Sequence, residues 1–301
     1  MAEQIIKLFG KEIQENLFPN NEFYKQSKLD GGIDANAGVV QVPQSGTSAV
    51  ITKNPSSFPL AAVQRTDDVK EYNVDLYATD PIFITDANEM IVNYNKRADI
   101  LKDHTRGLNT RIADEIAYGW APVAAGQKLF MTGTADGSAL APGATGTRKT
   151  LTRSDLADLA MRFDIDDVAD GARNILVDAR LYAQLLKIDS FINFDYVNRK
   201  PTVDGQIGEI FGMKVFKRSK SVYFTTANAK KAVGAAGAAT DHLAIIGWAD
   251  NYVRRAEGQV KVFSSMDNPL YLGSVFNAAV RAGGTSGRTD EKGVYALIQT
   301  A

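Results

Sequence analysis

The chain has 301 residues, 45% of them hydrophobic, which is enough to bury the core of one large domain or two ordinary ones. Its 34 lysines and arginines balance 35 aspartates and glutamates, so no sequence-wide basic field exists to hold nucleic acid. The absence of cysteine excludes disulfides, thiolate catalysis and cysteine-ligated metals. No secretion signal or long apolar run is present, and we expect a soluble, unsecreted protein made in a reducing cytoplasm.

The first segment predicts a short amphipathic helix that ends before Pro19. Its apolar residues recur every three or four positions, at Ile6, Phe9, Ile13 and Leu17. Such a helix packs either on its own domain or on a partner, and the polar stretch that follows favours the partner. Acids and bases are mixed on its polar face, which disfavours membrane binding.

Residues 20–85 are polar and rich in turns, and no helical period is visible there. Residues 39–42 and 49–52 predict one side of a long β-ribbon, and residues 65–79 predict its return. An isolated two-stranded ribbon is marginally stable in water. We therefore expect an arm and loop that become ordered on another subunit, in preference to a floppy insertion.

A long helix is predicted next, over residues 86–119, with Thr85 or Asp86 as its N-cap. At 1.5 Å per residue it would be about 50 Å long, more than one compact domain needs. Its apolar stripe consists of Ile91, Tyr94, Ala98, Leu101, Leu108, Ile112 and Ile116.

The remaining chain predicts alternating strands and helices, which indicates an α+β domain with a central sheet. We expect the last strand to pair with an earlier one. The predicted strands are 128–131, 174–178, 213–216, 243–248, 260–263, 271–280 and 294–298; the helices begin at Thr152 or Ser154 and at Ala179; surface loops cover 133–147 and 227–239.

Two stretches resemble ligand-binding motifs but lack the spacing or residues that those motifs require. The stretch from Gly283 to Thr289 resembles a phosphate-binding loop, but its glycine spacing is one residue short and Arg288 replaces the lysine. It predicts a hairpin turn instead. Four aspartates at 164, 166, 167 and 170 lack the spacing of a calcium loop and predict a solvated helix end.

The histidines and tryptophans likewise suggest no chemistry. His104 and His242 match no metal or triad pattern, and each is expected on a surface or helix face. Trp120 and Trp248 are expected to be core or interface anchors. We predict no catalytic, cofactor-binding or metal-binding residue, and no cofactor.

The order of these elements resembles the major capsid proteins of tailed bacteriophages with the Hong Kong ninety-seven type fold. The glycine-rich stretch 205–216 and the closing stretch 293–298 are also similar to sequences of that family. The resemblance implies five parts: an N-terminal arm (1–38), an E-loop hairpin (39–82), a spine helix with the first part of a P-domain (83–150), an A-domain (151–259) and the returning strands of the P-domain (260–301).

The family resemblance implies a structural protein and not an enzyme. Many copies would form hexamers and pentamers of an icosahedral phage head that encloses double-stranded DNA without sequence-specific binding. The chain would be part of the virion after assembly in the bacterial host cytoplasm, with a portal and possible decoration proteins as partners. Only about 38 residues precede the loop, so a separate scaffolding protein is expected. The candidate inter-subunit contacts are Ile6, Phe9, Ile13, Leu17, Val50, Lys53 and Phe58.

Some members of this family crosslink a loop lysine to a P-domain asparagine. Lys53 is the candidate lysine here, with Asn268 or Asn277 as its partner. The reaction also needs a nearby acid and a desolvated lysine, neither of which a sequence reveals. A solvated lysine is therefore the favoured interpretation.

Two alternatives remain open from sequence. An encapsulin-type nanocompartment shell protein would have the same fold with a protein cargo, and an α+β small-molecule enzyme would be a monomer or small oligomer. Deletion of residues 1–38 is expected to abolish closed particles and to leave the domain after residue 86 largely folded.

Overall fold

The computed structural model describes residues 19–31, 38–46, 50–54, 56, 58, 62, 64–85, 96–188, 206–270 and 272–301. Within these ranges the protein has a seven-stranded sheet, a six-stranded sheet, two short strand pairs and three α-helices. The α+β class expected from the sequence is confirmed. Within the same ranges, no helix has both the length and the apolar character needed to span a bilayer.

The α-helices are α1 (Lys96–Trp120), α2 (Arg153–Ile165) and α3 (Ala179–Leu185). The strands are β1 (Lys28–Leu29), β2 (Val39–Gln44), β3 (Asp68–Asn73), β4 (Asp75–Ala78), β5 (Ile82–Thr85), β6 (Lys128–Phe130), β7 (Ala135–Asp136), β8 (Arg148–Lys149), β9 (Arg173–Asp178), β10 (Gln206–Ile210), β11 (Met213–Arg218), β12 (Tyr223–Phe224), β13 (His242–Ala249), β14 (Val253–Glu257), β15 (Lys261–Asn268), β16 (Gly273–Ser286) and β17 (Val294–Ile298).

The seven-stranded sheet contains three strands that are buried at every residue. Its strand order is β10-β11-β9-β13-β17-β6, and β12 pairs with β13. Every residue of β9, β13 and β17 is buried, because α2 and α3 cover one face and α1 covers the other. As predicted, the last strand returns into the sheet, antiparallel to β13 and parallel to β6.

Local sequence signals fix the ends of two helices. Thr152 caps α2 in a capping box, in which its hydroxyl accepts from the Asp155 amide and the Asp155 carboxylate accepts from the Thr152 amide. Asp178 caps α3 by accepting from the Arg180 amide. The predicted cap at Thr152 is confirmed.

The six-stranded sheet is organised around β16, a strand of 14 residues. One edge of β16 pairs first with β15 and then with β14, to which β1 adds in parallel; the other edge pairs with β5 and β4. Alternate residues of β16 are buried, and Ala278, Val280 and Ala282 pack in one cluster with α1. The same cluster contains side chains of the seven-stranded sheet, so α1 is shared by both sheets.

Glycines allow α1 to lie directly on β16. A Cβ at Gly119 would come within 2.1 Å of the Gly284 carbonyl oxygen, and a Cβ at Gly283 within 2.2 Å of the Asn73 carbonyl oxygen. Gly283 and Gly284 therefore belong to a closely packed strand, and the prediction of a hairpin turn beginning at Gly283 was wrong. The strand continues to Ser286 before the chain turns.

The predicted ribbon is present but shorter than expected. β2 and β3 are antiparallel, from Val39 opposite Asn73 to Gln44 opposite Asp68. Residues 50–52 are not in a strand, and residues 47–49 lie outside the described part. Beyond β3 the chain leaves the ribbon, because β4 finds hydrogen-bonding partners on β16 in the larger sheet.

The long helix is confirmed from Lys96 to Trp120, and its predicted first residues lie outside the described ranges. Thr85 is the last residue of β5, and the alternative cap, Asp86, lies outside the described residues. Leu108, Ile112 and Ile116 face the core as predicted.

Both histidines are buried, so the surface alternative was wrong for each, although His104 does lie on a helix face. His104 lies on α1 but faces inward, where its Nδ1 lies 2.9 Å from the Thr79 hydroxyl. His242 begins β13, a strand buried on both faces, and its Nδ1 contacts the Gln299 carbonyl. Trp120 and Trp248 are core anchors as expected, with ring centroids 5.3 Å apart.

The four aspartates after α2 are only partly solvated. Asp164 and Asp170 pair with the buried Arg173, and Asp166 accepts from the Tyr295 hydroxyl. The predicted solvated helix end is thus wrong for Asp166, whose side chain the last strand covers.

Candidate inter-subunit surfaces

The chain segment before the ribbon is anchored in the core by Phe23. Its ring is 2% exposed and lies 6.0 Å, centroid to centroid, from both Trp120 and Trp248 in edge-to-face geometry. The Arg218 guanidinium lies over the same ring. The expectation that the arm becomes ordered on another subunit was therefore wrong at this position, because Phe23 packs in the core of its own chain.

Asp30 joins three elements at the point where the described arm ends. Its carboxylate accepts from the Tyr72 hydroxyl at 2.7 Å and from the Arg254 guanidinium at 2.6 Å, while its amide donates to the Arg255 carbonyl. Tyr72 is on β3, and Arg254 and Arg255 are on β14. We name these three side chains, Asp30, Tyr72 and Arg254, the root clamp.

A second set of polar contacts holds the ribbon against the chain that follows β16. Lys70 donates to the Ser286 hydroxyl and to the Arg288 carbonyl, both at 2.7 Å, and Gln44 donates to the Gly287 carbonyl. Burial lowers the pKa of the Lys70 amine, although nearby Glu291 and Asp290 oppose the shift. The ribbon is therefore fixed at its base.

The loop beyond the ribbon exposes large apolar side chains. Val50, Ile51 and Phe58 are 90%, 96% and 78% exposed. Lys53 is also exposed. The predicted arm contacts Ile6, Phe9, Ile13 and Leu17 lie outside the described residues. The structure thus places three of the seven predicted contact residues, Val50, Lys53 and Phe58, and all three point to solvent.

The two faces of the six-stranded sheet differ. The inner face is covered by α1, whereas the outer face carries exposed apolar side chains. Cross-strand pairing places Leu76 opposite Arg281, Phe83 opposite Val275 and Phe263 opposite Asn277. Leu76, Phe83 and Phe263 are all exposed. A groove of about 650 Å³ runs over this face beside Leu76, Phe263 and Asn277.

The candidate crosslinking asparagines lie in two different environments. Asn277 is half-buried in the groove, opposite Phe263. Asn268 is the last residue of β15. Its side-chain oxygen, Oδ1, accepts from the Leu270 backbone amide, and its side-chain nitrogen, Nδ2, donates to the Ser265 hydroxyl. Neither of these contacts involves Lys53.

The Nε2 atom of His104 is buried and has no hydrogen-bond partner. Thr79, which contacts Nδ1, also bonds to both the amide and the carbonyl of Ala278 on β16. Burial lowers the pKa of His104, and the opposing effect of Asp103 is smaller. This contact joins α1 to the six-stranded sheet in the neutral form of the ring.

Lys230 is a structural residue that sequence reasoning missed. Its amine donates to the Tyr118 and Ala121 carbonyls at the C-terminal end of α1 and lies 4.6 Å from the Tyr118 ring centroid. The lysine belongs to the alanine-rich loop predicted only as a surface loop. Its position within that low-complexity stretch gave no signal of a helix-capping role.

Among the described residues, no group of three or more histidine, aspartate or glutamate side chains could hold a metal ion. The geometry described above instead contains exposed apolar surface, a fixed ribbon and a shared helix. Such an arrangement can support contacts between proteins.

The sequence matches no family model and no curated protein. Solved structures match it over almost its whole length. A chain from the capsid of cyanophage P-SCSP1u is 16% identical with a TM-score of 0.71, and the match covers 98% of this chain and 92% of that one. A chain from the capsid of Ralstonia phage GP4 is 12% identical with a TM-score of 0.64, covering 99% and 96%.

A third match is a chain from the capsid of a native GTA particle, 11% identical with a TM-score of 0.65, covering 99% of this chain and 96% of that one. At these identities the likeness establishes the fold. The chain therefore has the fold of phage capsid subunits, as the order of its sequence elements indicated.

Proposed function

We propose that the protein is a structural major capsid protein that assembles with copies of itself into an icosahedral phage head. The main support for this proposal is that the fold match covers almost the whole length of both chains. The chain and the capsid chain of cyanophage P-SCSP1u cover each other over 98% and 92% of their lengths. Little of either chain is left over to form a domain with a different activity.

The exposed apolar surface supports the proposal. Monomeric soluble proteins rarely expose large contiguous apolar patches. Here the outer sheet face exposes Leu76, Phe83 and Phe263, and the loop exposes Val50 and Phe58. We propose that Val50, Lys53 and Phe58 contact a neighbouring subunit, together with Ile6, Phe9, Ile13 and Leu17 of the arm.

We propose that this chain has the same five structural parts as that family. They are the arm (1–38), the E-loop (39–82), the spine helix with the first part of the P-domain (83–150), the A-domain (151–259) and the returning P-domain strands (260–301). The contacts of Phe23 favour an arm that begins from a fixed root on its own subunit. The part of the arm that reaches a neighbour would then precede this residue.

The near-neutral net charge of -1 suits a shell of many packed copies, because strong net charge would make them repel one another. It also suits enclosure of double-stranded DNA without specific binding. The proposed partners are hexamers and pentamers of the same chain, a separate scaffolding protein, a portal and decoration proteins. Assembly would take place in the host cytoplasm.

The proposal is tested by light scattering and negative-stain electron microscopy of the purified full chain. We expect megadalton particles with curved walls. A chain that stays a discrete monomer or dimer at every protein and salt concentration would overturn the proposal and favour the small-molecule enzyme. In particles isolated from their native source, enclosed DNA is expected, whereas an enzyme cargo would indicate an encapsulin.

The contact surface is tested with Val50→Ser and Phe58→Ser. Both residues are solvent-exposed in the isolated chain, so each variant should keep the wild-type unfolding midpoint and lose particle yield. Ser56→Ala in the same loop is the matched control and should assemble normally. Normal yield in both apolar variants would remove these residues from the interface.

A further inference from the structure

The seven-stranded sheet has chemically different ends, and a basic pocket lies at one of them. β9 and β11 are parallel and end together, with Asp178 beside Arg218. A pocket of about 380 Å³ opens there, lined by five cationic side chains, at 111, 180, 218, 220 and 231, and by one acid, Asp114. The lining of this pocket therefore contains more basic than acidic side chains.

Not all of these cations are free to bind a ligand. Arg218 is buried and pairs with Asp114, and Lys231 pairs with Asp241. Arg111 and Arg180 are each about half exposed, but both already have an acidic neighbour: Arg111 pairs with Glu115 at 2.7 Å, and Arg180 Nη1 lies 3.6 Å from the buried Asp178 carboxylate. Lys220 lies exposed at the pocket. Lys220 is thus the main group that an incoming anion would meet, with the half-exposed, ion-paired Arg111 and Arg180 beside it.

The opposite end of the same sheet is acidic. Asp164 lies in the last turn of α2, and Asp167 and Asp170 lie between that helix and the first residue of β9. Asp164 and Asp170 are 63% and 87% exposed, whereas their partner Arg173 is 5% exposed. Three carboxylates against one guanidinium leave two negative charges, and the carboxylates are the groups on the outside. β9 has six residues, so the two ends are about 20 Å apart at 3.3 Å per residue.

We propose that the basic pocket of one subunit binds the acidic end, Asp164 to Asp170, of the next copy. A contact between two different surfaces of the same chain is head-to-tail, and it closes into a ring when the rotation between copies allows it. Complementary charge fixes the register and the direction of such a contact. The inference rests on the proposed self-assembly and specifies one contact within it.

A charge-swap experiment tests the pairing in the full chain. Lys220→Glu and Asp167→Lys should each raise the protein concentration needed for assembly about tenfold, because each places like charges together. The double variant should recover assembly close to the wild-type level. Asp167 has a left-handed backbone (φ of 54°), which asparagine tolerates, so Asp167→Asn separates loss of charge from backbone strain.

The outcomes distinguish this inference from the proposed function. Wild-type protein that never assembles would overturn both. Assembly that is normal in both single variants, or that stays lost in the double variant while its thermal unfolding is unchanged, would overturn the head-to-tail contact alone. Lys187→Glu, an exposed lysine of the same domain outside the pocket, is the matched control and should assemble like the wild type.

The direction of the contact has a separate readout because the chain contains no cysteine. A Lys220→Cys, Asp167→Cys double variant treated with a short bismaleimide should give a ladder of covalent oligomers that ends at the ring size. Each single cysteine variant should stop at a dimer or stay monomeric. A double variant that gives only dimers would contradict head-to-tail pairing.

Discussion

The two sheets of the protein differ in how they bury their surfaces. The seven-stranded sheet has helices on both faces, and its three central strands are buried at every residue. The six-stranded sheet has α1 on one face and apolar side chains exposed on the other. The first is complete within one chain, whereas the second exposes the kind of surface that another protein covers. In the proposed assembly, the stability of one subunit and its contacts with other subunits would therefore depend on different side chains.

The largest loss of stability is expected at the root of the arm, and it tests whether that root belongs to the buried core. Phe23→Ala removes a buried ring between two tryptophans and should lower the free energy of unfolding by about 3–5 kcal/mol. Urea unfolding followed by tryptophan fluorescence measures it. Phe58→Ala is the control and should change stability by less than about 0.5 kcal/mol. Equal effects would mean that the arm root is not part of the core.

For the same reason, deletion of residues 1–38 is no longer expected to leave the remaining domain intact. The deletion removes Phe23 and Asp30 together, and so both the aromatic cluster and the root clamp lose a member. We expect the truncated chain to unfold at lower urea concentration. A truncated chain as stable as the full one would contradict this.

A smaller effect is expected at the root clamp. Asp30→Ala leaves the half-buried Arg254 guanidinium and the Tyr72 hydroxyl without their shared acceptor, and should cost about 1.5–3 kcal/mol. Tyr72→Phe removes one of the two hydrogen bonds and should cost less. Differential scanning calorimetry gives both values, and a larger loss for Tyr72→Phe would reverse the assigned roles.

The pH dependence of stability should report the contact of His104 between α1 and the six-stranded sheet. Because burial lowers the pKa of His104 in the folded protein, the unfolded chain binds the proton first as the pH falls. The stability contributed by the neutral ring is therefore complete above pH 6.5 and decreases below it, until the folded pKa is passed. His104→Gln should flatten this part of the curve. Unfolding midpoints in urea from pH 7.5 to 5.0 test it, and an unchanged slope would exclude His104 as the cause.

The smallest effect on folding, and a large one on assembly, is expected on the outer sheet face. Leu76→Ser and Phe263→Ser replace exposed side chains and should change the free energy of unfolding by less than about 0.5 kcal/mol. Particle yield by sedimentation should nevertheless fall. Ser264→Ala, on the neighbouring exposed position of β15, is the control. A stability loss similar to that of Phe23→Ala would mean that this face is core.

The sequence predicted most accurately those segments in which the local residue pattern matches the burial of the segment in the fold. Thr152 with Asp155 is a local cap signal, and the apolar run 243–248 can only be a strand or helix buried on all sides. The spacing of Leu108, Ile112 and Ile116 likewise identified the inner face of α1. The fold class and the order of elements could be predicted from such signals.

Contacts between distant segments could not be predicted in this way. Gly283 and Gly284 suggested a turn, because nothing local to them shows that α1 and β3 approach their backbone. Asp30, Tyr72 and Arg254 are separated by 42 residues or more, and each alone is an ordinary polar residue. The exposed loop residues were predicted from composition, but which surface they touch depends on a second chain.

The root clamp has a mechanical consequence. The fixed root of the arm ends at Asp30, and the ribbon that leads to the loop carries Tyr72, so both extensions are joined to one carboxylate. Arg254 fastens that carboxylate to the six-stranded sheet. In the proposed shell, a force applied to the loop by one neighbour would thus be transmitted to the base of the arm, and the two extensions could not be displaced independently without breaking these bonds.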